Sequence, residues 1–268
     1  MNNRTPLPAP TALTIAGSDS GAGAGIQADL KTFAAQGVYG TSAITAVTAQ
    51  NTRGVTAIEA VSPDLVVSQI SAVIDDFPVS AIKTGMLATR DIVAAVADRL
   101  LEIPETPLVV DPVLVSTSGD RLLDDDAIEL IRDRLLPRAH LVTPNRREAE
   151  ALTGRQLASA REVADAAREL LDRGARAVVV TGGDQHGPNA VDLLVDRGGE
   201  HRLSAPRIDS RSTHGTGCTY SAAIAARLAL GEGMDAAVSQ AKRFVTRAIE
   251  QAIPLGGGHG PLGHLLVK

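Results

Sequence analysis

Residues 12–37 read "ALTIAGSDSGAGAGIQADLKTFAAQG". The opening "ALTIAG" is a short apolar run halted by glycine, the pattern of a buried strand. A glycine-rich loop follows, and then a helix-forming run that Gly37 stops. Strand, glycine loop and helix in that order make half of a βαβ unit, and the rest of the chain repeats it. Further strands are predicted at 41–51, 79–85, 107–112, 140–145 and 175–183. Helices are predicted at 62–77, 90–102, 124–136, 159–174, 217–230 and 234–253. The helix at 62 carries its own start signal: Ser62 as cap, Pro63 as first residue and Asp64 at the positive end. One segment departs from the alternation. "AVDLLVD" and "HRLSAPR" flank "RGGE" and read as a β-hairpin. The alternation predicts an α/β fold with a central, mostly parallel sheet and right-handed crossovers.

Composition narrows the function. The chain has 268 residues, a length that one α/β domain can fill. Residues 1–10, rich in proline, read as a loose tail, and residues 11–268 as a single domain. Aromatic residues make up 2% and tryptophan is absent, so the core has to be built from Ala, Val, Leu and Ile. The net charge of −5, with Lys and Arg scattered among acids, argues against a nucleic-acid footprint. A single cysteine excludes an intrachain disulfide and a CxxC zinc site. The N-terminus lacks a signal-peptide core and no apolar run approaches membrane-spanning length, so a cytoplasmic protein is expected.

In parallel sheets ligands bind beyond the C-terminal ends of the strands. Those ends carry the unusual residues here: "GSDSGAGAG" (17–25), "TAQN" (48–51), "KTGML" (83–87), "DPVLVSTSGD" (111–120), "TPNRRE" (143–148), "TGGD" (181–184) and "STHGTGC" (212–218). In the last of these, Thr216, Gly217, Cys218 and Thr219 fall in the first turn of a helix, where amide hydrogens lack intrahelical partners. That makes an anion site, and Gly215 and Gly217 let an anion approach the backbone. The same dipole is expected to favour the Cys218 thiolate, which could accept a proton from an attacking hydroxyl. The alternative for Cys218 is a small buried apolar residue. His214 lies close enough in sequence to suggest a Cys–His hydrolase, but no orienting third member is evident. The other histidines show no zinc spacing, and the P-loop, GxGxxG and GxSxG fingerprints are all missing. Asp111 ends a strand where an acid can hold magnesium. Asn145 and Glu148 are one helical turn apart, so they could arrange a cation and phosphate oxygens, or serve as a cap and a solvated charge.

Together, "ALTIAGSDSGAGAGIQADLKTFAAQGVYG", "ITAVTAQNTRGV", "GMLA", "VVDPV", "TSGD", "LLPRAHLVTPN" and "STHGTGCTYSAAIAA" closely resemble the hydroxymethylpyrimidine/phosphomethylpyrimidine kinases of thiamine biosynthesis, in the ribokinase-like superfamily. The resemblance runs from about residue 12 to "GHGPLGH" (258–264). It implies a three-layer α/β/α sandwich with a minimal lid, a homodimer, and two ATP-dependent phosphorylations of 4-amino-5-hydroxymethyl-2-methylpyrimidine. It implies that Gly17, Ala24, Gln50, Met86 and Val113 line the pyrimidine pocket. Asp111 and Glu148 would attend Mg²⁺, and Asn145, Thr181, Gly183, Thr213 and His214 the nucleotide. Gly215, Thr216 and Gly217 would cradle the moving phosphoryl group, with Cys218 as the base. Asp29 would steady the first loop. Some positions depart from the family pattern: Ala22 stands for a glycine, Thr84 for an aliphatic residue, Thr181 and Gly257 for lysines, and Asp184 for a histidine. Two other readings remain open, a pyridoxal kinase and a catalytically silent pyrimidine-binding protein.

Overall fold

The first strand, β1 (Thr11–Asp19), shows how the layers are specified. Leu13 and Ile15 join one hydrophobic cluster and Ala12 joins another, so successive side chains serve opposite faces. A strand buried on both faces reads as a continuous apolar run, which is why "ALTI" shows no polar alternation. The computed structural model describes residues 9–114, 123, 125–182 and 187–267.

The other strands are β2 (Tyr39–Asn51), β3 (Gly54–Ala60), β4 (Val79–Thr84), β5 (Leu108–Val110), β6 (Leu141–Val142), β7 (Ala177–Val180), β8 (Asn189–Asp196) and β9 (Gly199–Pro206). They form one sheet in the order β3-β2-β1-β4-β5-β6-β7-β8-β9. Strands β2, β1, β4, β5, β6 and β7 pair in parallel, while β3 at one edge and β8 and β9 at the other are antiparallel. The order reverses between β1 and β4, since β1 is followed by β2 on one side and by β4 on the other. That is where a doubly wound sheet opens a crevice.

Among the described residues, eight α-helices flank the sheet: α1 (Gly25–Ala35), α2 (Pro63–Ile74), α3 (Arg90–Leu100), α4 (Asp125–Leu130), α5 (Arg146–Thr153), α6 (Ala160–Asp172), α7 (Thr216–Ala229) and α8 (Met234–Glu250). Helices α1, α7 and α8 cover one face, packing Phe33, Ile224 and Val238 with Val109, Leu141 and Val179. Helices α2 to α6 cover the other, where Ile70, Val96 and Leu170 meet Ile15, Ile82 and Val178. Ala222, Ala223, Ala225 and Ala226 are fully buried. With methyl side chains along this stretch, α7 can lie close to the sheet, so its N-terminus reaches the crevice.

The structure revises several elements. Strand β3 was not anticipated; its residues are half-buried or exposed, so no burial pattern marks it. The helix expected over 124–136 is α4 followed by a π-turn over Ile131–Leu135 and a 3₁₀ turn over Leu136–Arg138. Pro137 has no amide hydrogen to continue the regular ladder. The strand expected over 140–145 contracts to Leu141–Val142 because Pro144 and the capping residue Asn145 already commit the chain to α5. Ser62 caps α2 as expected, accepting the Leu65 amide.

Candidate active site

Because β1, β2 and β4 to β7 run in parallel, their C-terminal ends share one edge. The first glycine loop is organised there by Asp19. Its carboxylate accepts the amides of Gly21, Gly23 and Ala24 at 2.8, 3.0 and 2.9 Å. It also accepts Nε2–H of His214 at 2.9 Å. Burial alone would raise the Asp19 carboxyl, but the His214 bond and the loop amides outweigh it and hold the group below its usual range. Ala22 stands where the resemblance expects glycine, and its φ of 58° is left-handed, so the position still demands a glycine-like backbone.

The second glycine loop packs against the first. A Cβ on Gly23 would lie 2.3 Å from the His214 ring, and a Cβ on Gly215 would lie 1.9 Å from the Gly23 carbonyl oxygen. Gly215 is also left-handed, at φ 80°, and caps α7 with no side-chain hydrogen bond. The Thr216 amide donates to Thr213 O and the Thr219 amide to Gly215 O. The free-donor set is therefore smaller than the sequence suggested. Gly217 and Cys218 are the first-turn amides with no carbonyl of the preceding turn to accept them. A Cβ at Gly217 would meet nothing within 4 Å, so open space lies in front of these donors.

A downstream segment braces this cradle. The amides of Gly258 and His259 donate to Thr52, and Gly260 exchanges backbone bonds with Arg211 and His214. The Thr219 hydroxyl lies 2.8 Å from His264 Nε2. Burial pushes His264 down to about 4, so it is neutral and accepts that proton.

Cys218 is half-buried at the crevice floor. Its neighbours include the Gly25 amide at the start of α1, which donates toward the sulfur, and the charges of Lys83, Asp111 and Asp29. The expected acidification of the thiol is overturned. Burial pushes it up to about 12, outweighing the Lys83 charge and the Gly25 amide. Held that high by burial, the Cys218 thiol is neutral at physiological pH.

Asp111, just past β5, is buried, and its Oδ2 accepts the Ser221 hydroxyl of α7 at 2.9 Å. Burial raises its carboxyl to about 6 against the opposing effects of Lys83 and Ser221. Val113 follows with a φ of 42°, a left-handed conformation that strains a β-branched residue. Asn145 and Glu148 form a capping box: Asn145 Oδ1 accepts the Glu148 amide and Glu148 Oε2 accepts the Asn145 amide. Glu148 Oε1 also accepts the Leu114 amide at 3.3 Å, which ties α5 to the turn after Asp111. Among the described residues no cluster of three or more His, Cys, Asp or Glu could by itself hold a metal ion. Hard oxygen donors are nonetheless present. Among the described residues the Asp111 carboxylate makes no salt bridge, and one strand over the buried Thr143 hydroxyl has no partner. This set fits a hydrated cation that arrives with phosphates, with Glu148 acting through water.

Of the expected pocket residues, Gly17, Ala24, Gln50 and Met86 gather about the first glycine loop. Met86 fills the space left by Gly17, since a Cβ there would lie 2.4 Å from Met86 Cε. The Gln50 amide lies 3.3 Å from His214 Nε2. Ala24 is the N-cap of α1. His214, expected beside the nucleotide, contacts Asp19 of the first loop and Gln50 of β2. Thr181 bridges to Asn145, its amide donating to Pro144 O. Thr213 supplies the carbonyl that accepts the Thr216 amide and hydroxyl. Gly183 lies outside the described residues. Sequence reading missed Lys83, which is fully buried and ion-paired to Asp29. A lysine in an otherwise apolar strand, "VSAIKT", was the available signal.

The Asp111 carboxyl leads to one prediction. Below about pH 6 it is protonated and loses the charge that favours a cation. The kcat/KM for magnesium nucleotide is expected to fall about tenfold per pH unit below that point. An acid limb unchanged by Asp111→Asn, in a pH profile from 5 to 9, would assign it to another group.

The phosphomethylpyrimidine kinase family model matches residues 19–263. A hydroxymethylpyrimidine/phosphomethylpyrimidine kinase of Rhizobium meliloti is 53% identical over 94% of this chain and 96% of its own length. The thiamine biosynthesis bifunctional protein ThiED of Geobacter sulfurreducens is 49% identical over 99% of this chain, which spans about half, 54%, of that longer protein. In structure, a Bacillus subtilis pyridoxal kinase solved with ADP superposes with a TM-score of 0.88 at 39% identity, over 95% of this chain and 97% of the other. With the family pattern continuous from the first glycine loop to the brace after α8, the chain belongs to the phosphomethylpyrimidine kinase family.

Proposed function

We propose that this chain uses ATP to phosphorylate 4-amino-5-hydroxymethyl-2-methylpyrimidine and then its monophosphate, in thiamine biosynthesis. One observation carries the reading: Cys218 lies in the first turn of α7, where no backbone carbonyl accepts the Gly217 and Cys218 amides, and its sulfur takes the Gly25 amide at the start of α1, so the two glycine loops meet at the thiol. The ring would sit against Gly17, Ala24, Met86 and Val113, with the Gln50 amide on its polar edge. Its hydroxymethyl group would face Cys218, and the γ-phosphate the Gly217 and Cys218 amides. These donors are fixed before the reaction begins, so charge on the transferring group meets a cradle that need not reorganise. Thr216 and Gly215 hold the cradle open. Asn145, Thr181, Gly183 and Thr213 would border the nucleotide.

Mg²⁺ bound with ATP would neutralise phosphate charge, held by Asp111 and, through water, by Glu148. Its arrival would also favour the Cys218 thiolate, which burial keeps scarce. The reading includes a homodimer. It also includes a cytoplasmic location; among the described residues no helix is long and apolar enough to cross a membrane.

A coupled ADP-release assay with the hydroxymethylpyrimidine, its monophosphate and pyridoxal tests the reading. Turnover of the first two substrates is expected. The second reading is a pyridoxal kinase, favoured by the likeness to the Bacillus subtilis enzyme. It requires faster pyridoxal turnover and none with the monophosphate. Pyrimidine binding without ADP release would mark a silent binder. Gln50→Leu is expected to raise the KM for pyrimidine about tenfold or more and to spare the KM for ATP, since it removes a hydrogen bond to substrate alone. An effect on ATP alone would place Gln50 elsewhere.

A further inference from the structure

A buried ion pair lies beneath the cradle. Lys83 on β4 and Asp29 on α1 are both fully buried, with Nζ 2.8 and 3.0 Å from the two carboxylate oxygens. Thr14 on β1 donates its hydroxyl to Asp29 Oδ2 at 2.6 Å. All three side chains are inaccessible to solvent. Among the described residues, Lys83 is the only lysine or arginine in the buried set. Space is kept for it, since a Cβ on Gly85 would lie 2.8 Å from the ammonium.

Stability does not account for such a pair. Desolvating two ions costs several kcal/mol, of the order of what their attraction returns, and apolar residues of similar volume commonly do as well. The neighbours suggest another role. Helix α7 packs against β4 and α1, and among the described residues the charged groups around Cys218 are Lys83 from β4, which favours the thiolate, and Asp111 from beyond β5 and Asp29 from α1, each of which opposes it more weakly. Lys83 is the lone cation among them. Thr14, Asp29 and Lys83 form a rigid triangle joining β1, α1 and β4, so that cation is fixed at the switch point of the sheet.

We propose that Lys83 is a positioning residue for the phosphoryl transfer: its ammonium, held by Asp29 and Thr14, stabilises negative charge on the Cys218 sulfur as the substrate hydroxyl gives up its proton. Asp29 thus does more than steady a loop, because it fixes the direction from which the cation acts. The Lys83 charge also opposes the burial that suppresses the thiolate. Burial would strip the proton from Lys83, but the Asp29 charge more than offsets it, so the lysine remains a cation throughout the working range.

The inference rests on the kinase reading, and its test has one arm that does not. In Lys83→Met the Asp29 carboxylate is left unpaired, and the melting temperature is expected to fall. The double variant Lys83→Met/Asp29→Leu removes both charges and recovers most of the melting temperature. The neutral pair Lys83→Gln/Asp29→Asn stands in if that protein does not fold. In either double variant kcat is expected to stay about 10- to 100-fold below wild type, with the KM for pyrimidine and for ATP within about threefold. Alkylation of Cys218 by iodoacetamide at pH 8, without substrates, is expected to slow about tenfold, since thiolate is the reactive form. A double variant with restored melting temperature, wild-type kcat and wild-type alkylation would reduce the pair to a structural strut and overturn the proposal. Because alkylation needs neither pyrimidine nor ATP, it reports the coupling even if the wild-type enzyme proves to use a different substrate.

Discussion

Replacing Cys218 with alanine is expected to lower kcat roughly 10²- to 10⁴-fold, the range of a lost general base, with both KM values within about threefold. The residue is half-buried, and removal of its sulfur leaves the backbone donors of α7 in place. Substrate and nucleotide should still bind, and the loss should fall on the chemical step. The same geometry gives a second signature. With the thiol raised to about 12 by burial, alkylation of the free enzyme should climb about tenfold per pH unit between pH 7 and 9 without a plateau. An acidified cysteine would level off in that window. Near-normal turnover in Cys218→Ala would remove the thiol from the mechanism, leaving the cradle to work by positioning alone.

The two glycines of the cradle should fail in different ways. Gly215→Ala places a methyl 1.9 Å from the Gly23 carbonyl oxygen in a left-handed backbone, so the two loops must separate. We expect loss of activity of at least about 10²-fold together with a lower melting temperature, since a left-handed site and a backbone clash are both compromised. Gly217→Ala meets nothing within 4 Å of its added methyl. The protein should fold and melt near wild type, while kcat/KM for ATP drops about tenfold to hundredfold because the methyl occupies the approach of the phosphate. Calorimetry beside steady-state kinetics separates the two outcomes. A Gly217→Ala enzyme with unimpaired use of ATP would move the phosphate away from the start of α7.

The parts of this fold legible in sequence were those fixed by local chemistry. "ALTI" and "AVVV" announced buried strands because both faces need apolar residues, and Ser62 with Pro63 announced the start of α2. Strand β3 went unseen because it lies at an exposed edge, where hydrogen bonding to β2 and not burial defines it. Much of the candidate site was readable from the glycine loops. The charge state of Cys218 was not, because burial is a property of the assembled crevice. The partnership of Lys83 with Asp29 spans 54 positions of sequence and could be read only after β1, β4 and α1 were brought together. The contact of His214 with Asp19 was hidden for the same reason, since 195 positions of sequence separate them.

The strap at 258–264, which fastens the cradle to Thr52 and to Thr219, lies downstream of every strand and helix. On a ribosome, the sheet and its helical layers can assemble while the phosphate loop still lacks its clasp. The latch on the cradle is therefore separable from the layers that carry it, and a chain without the strap would keep its sheet and helices while the two glycine loops stood unfastened.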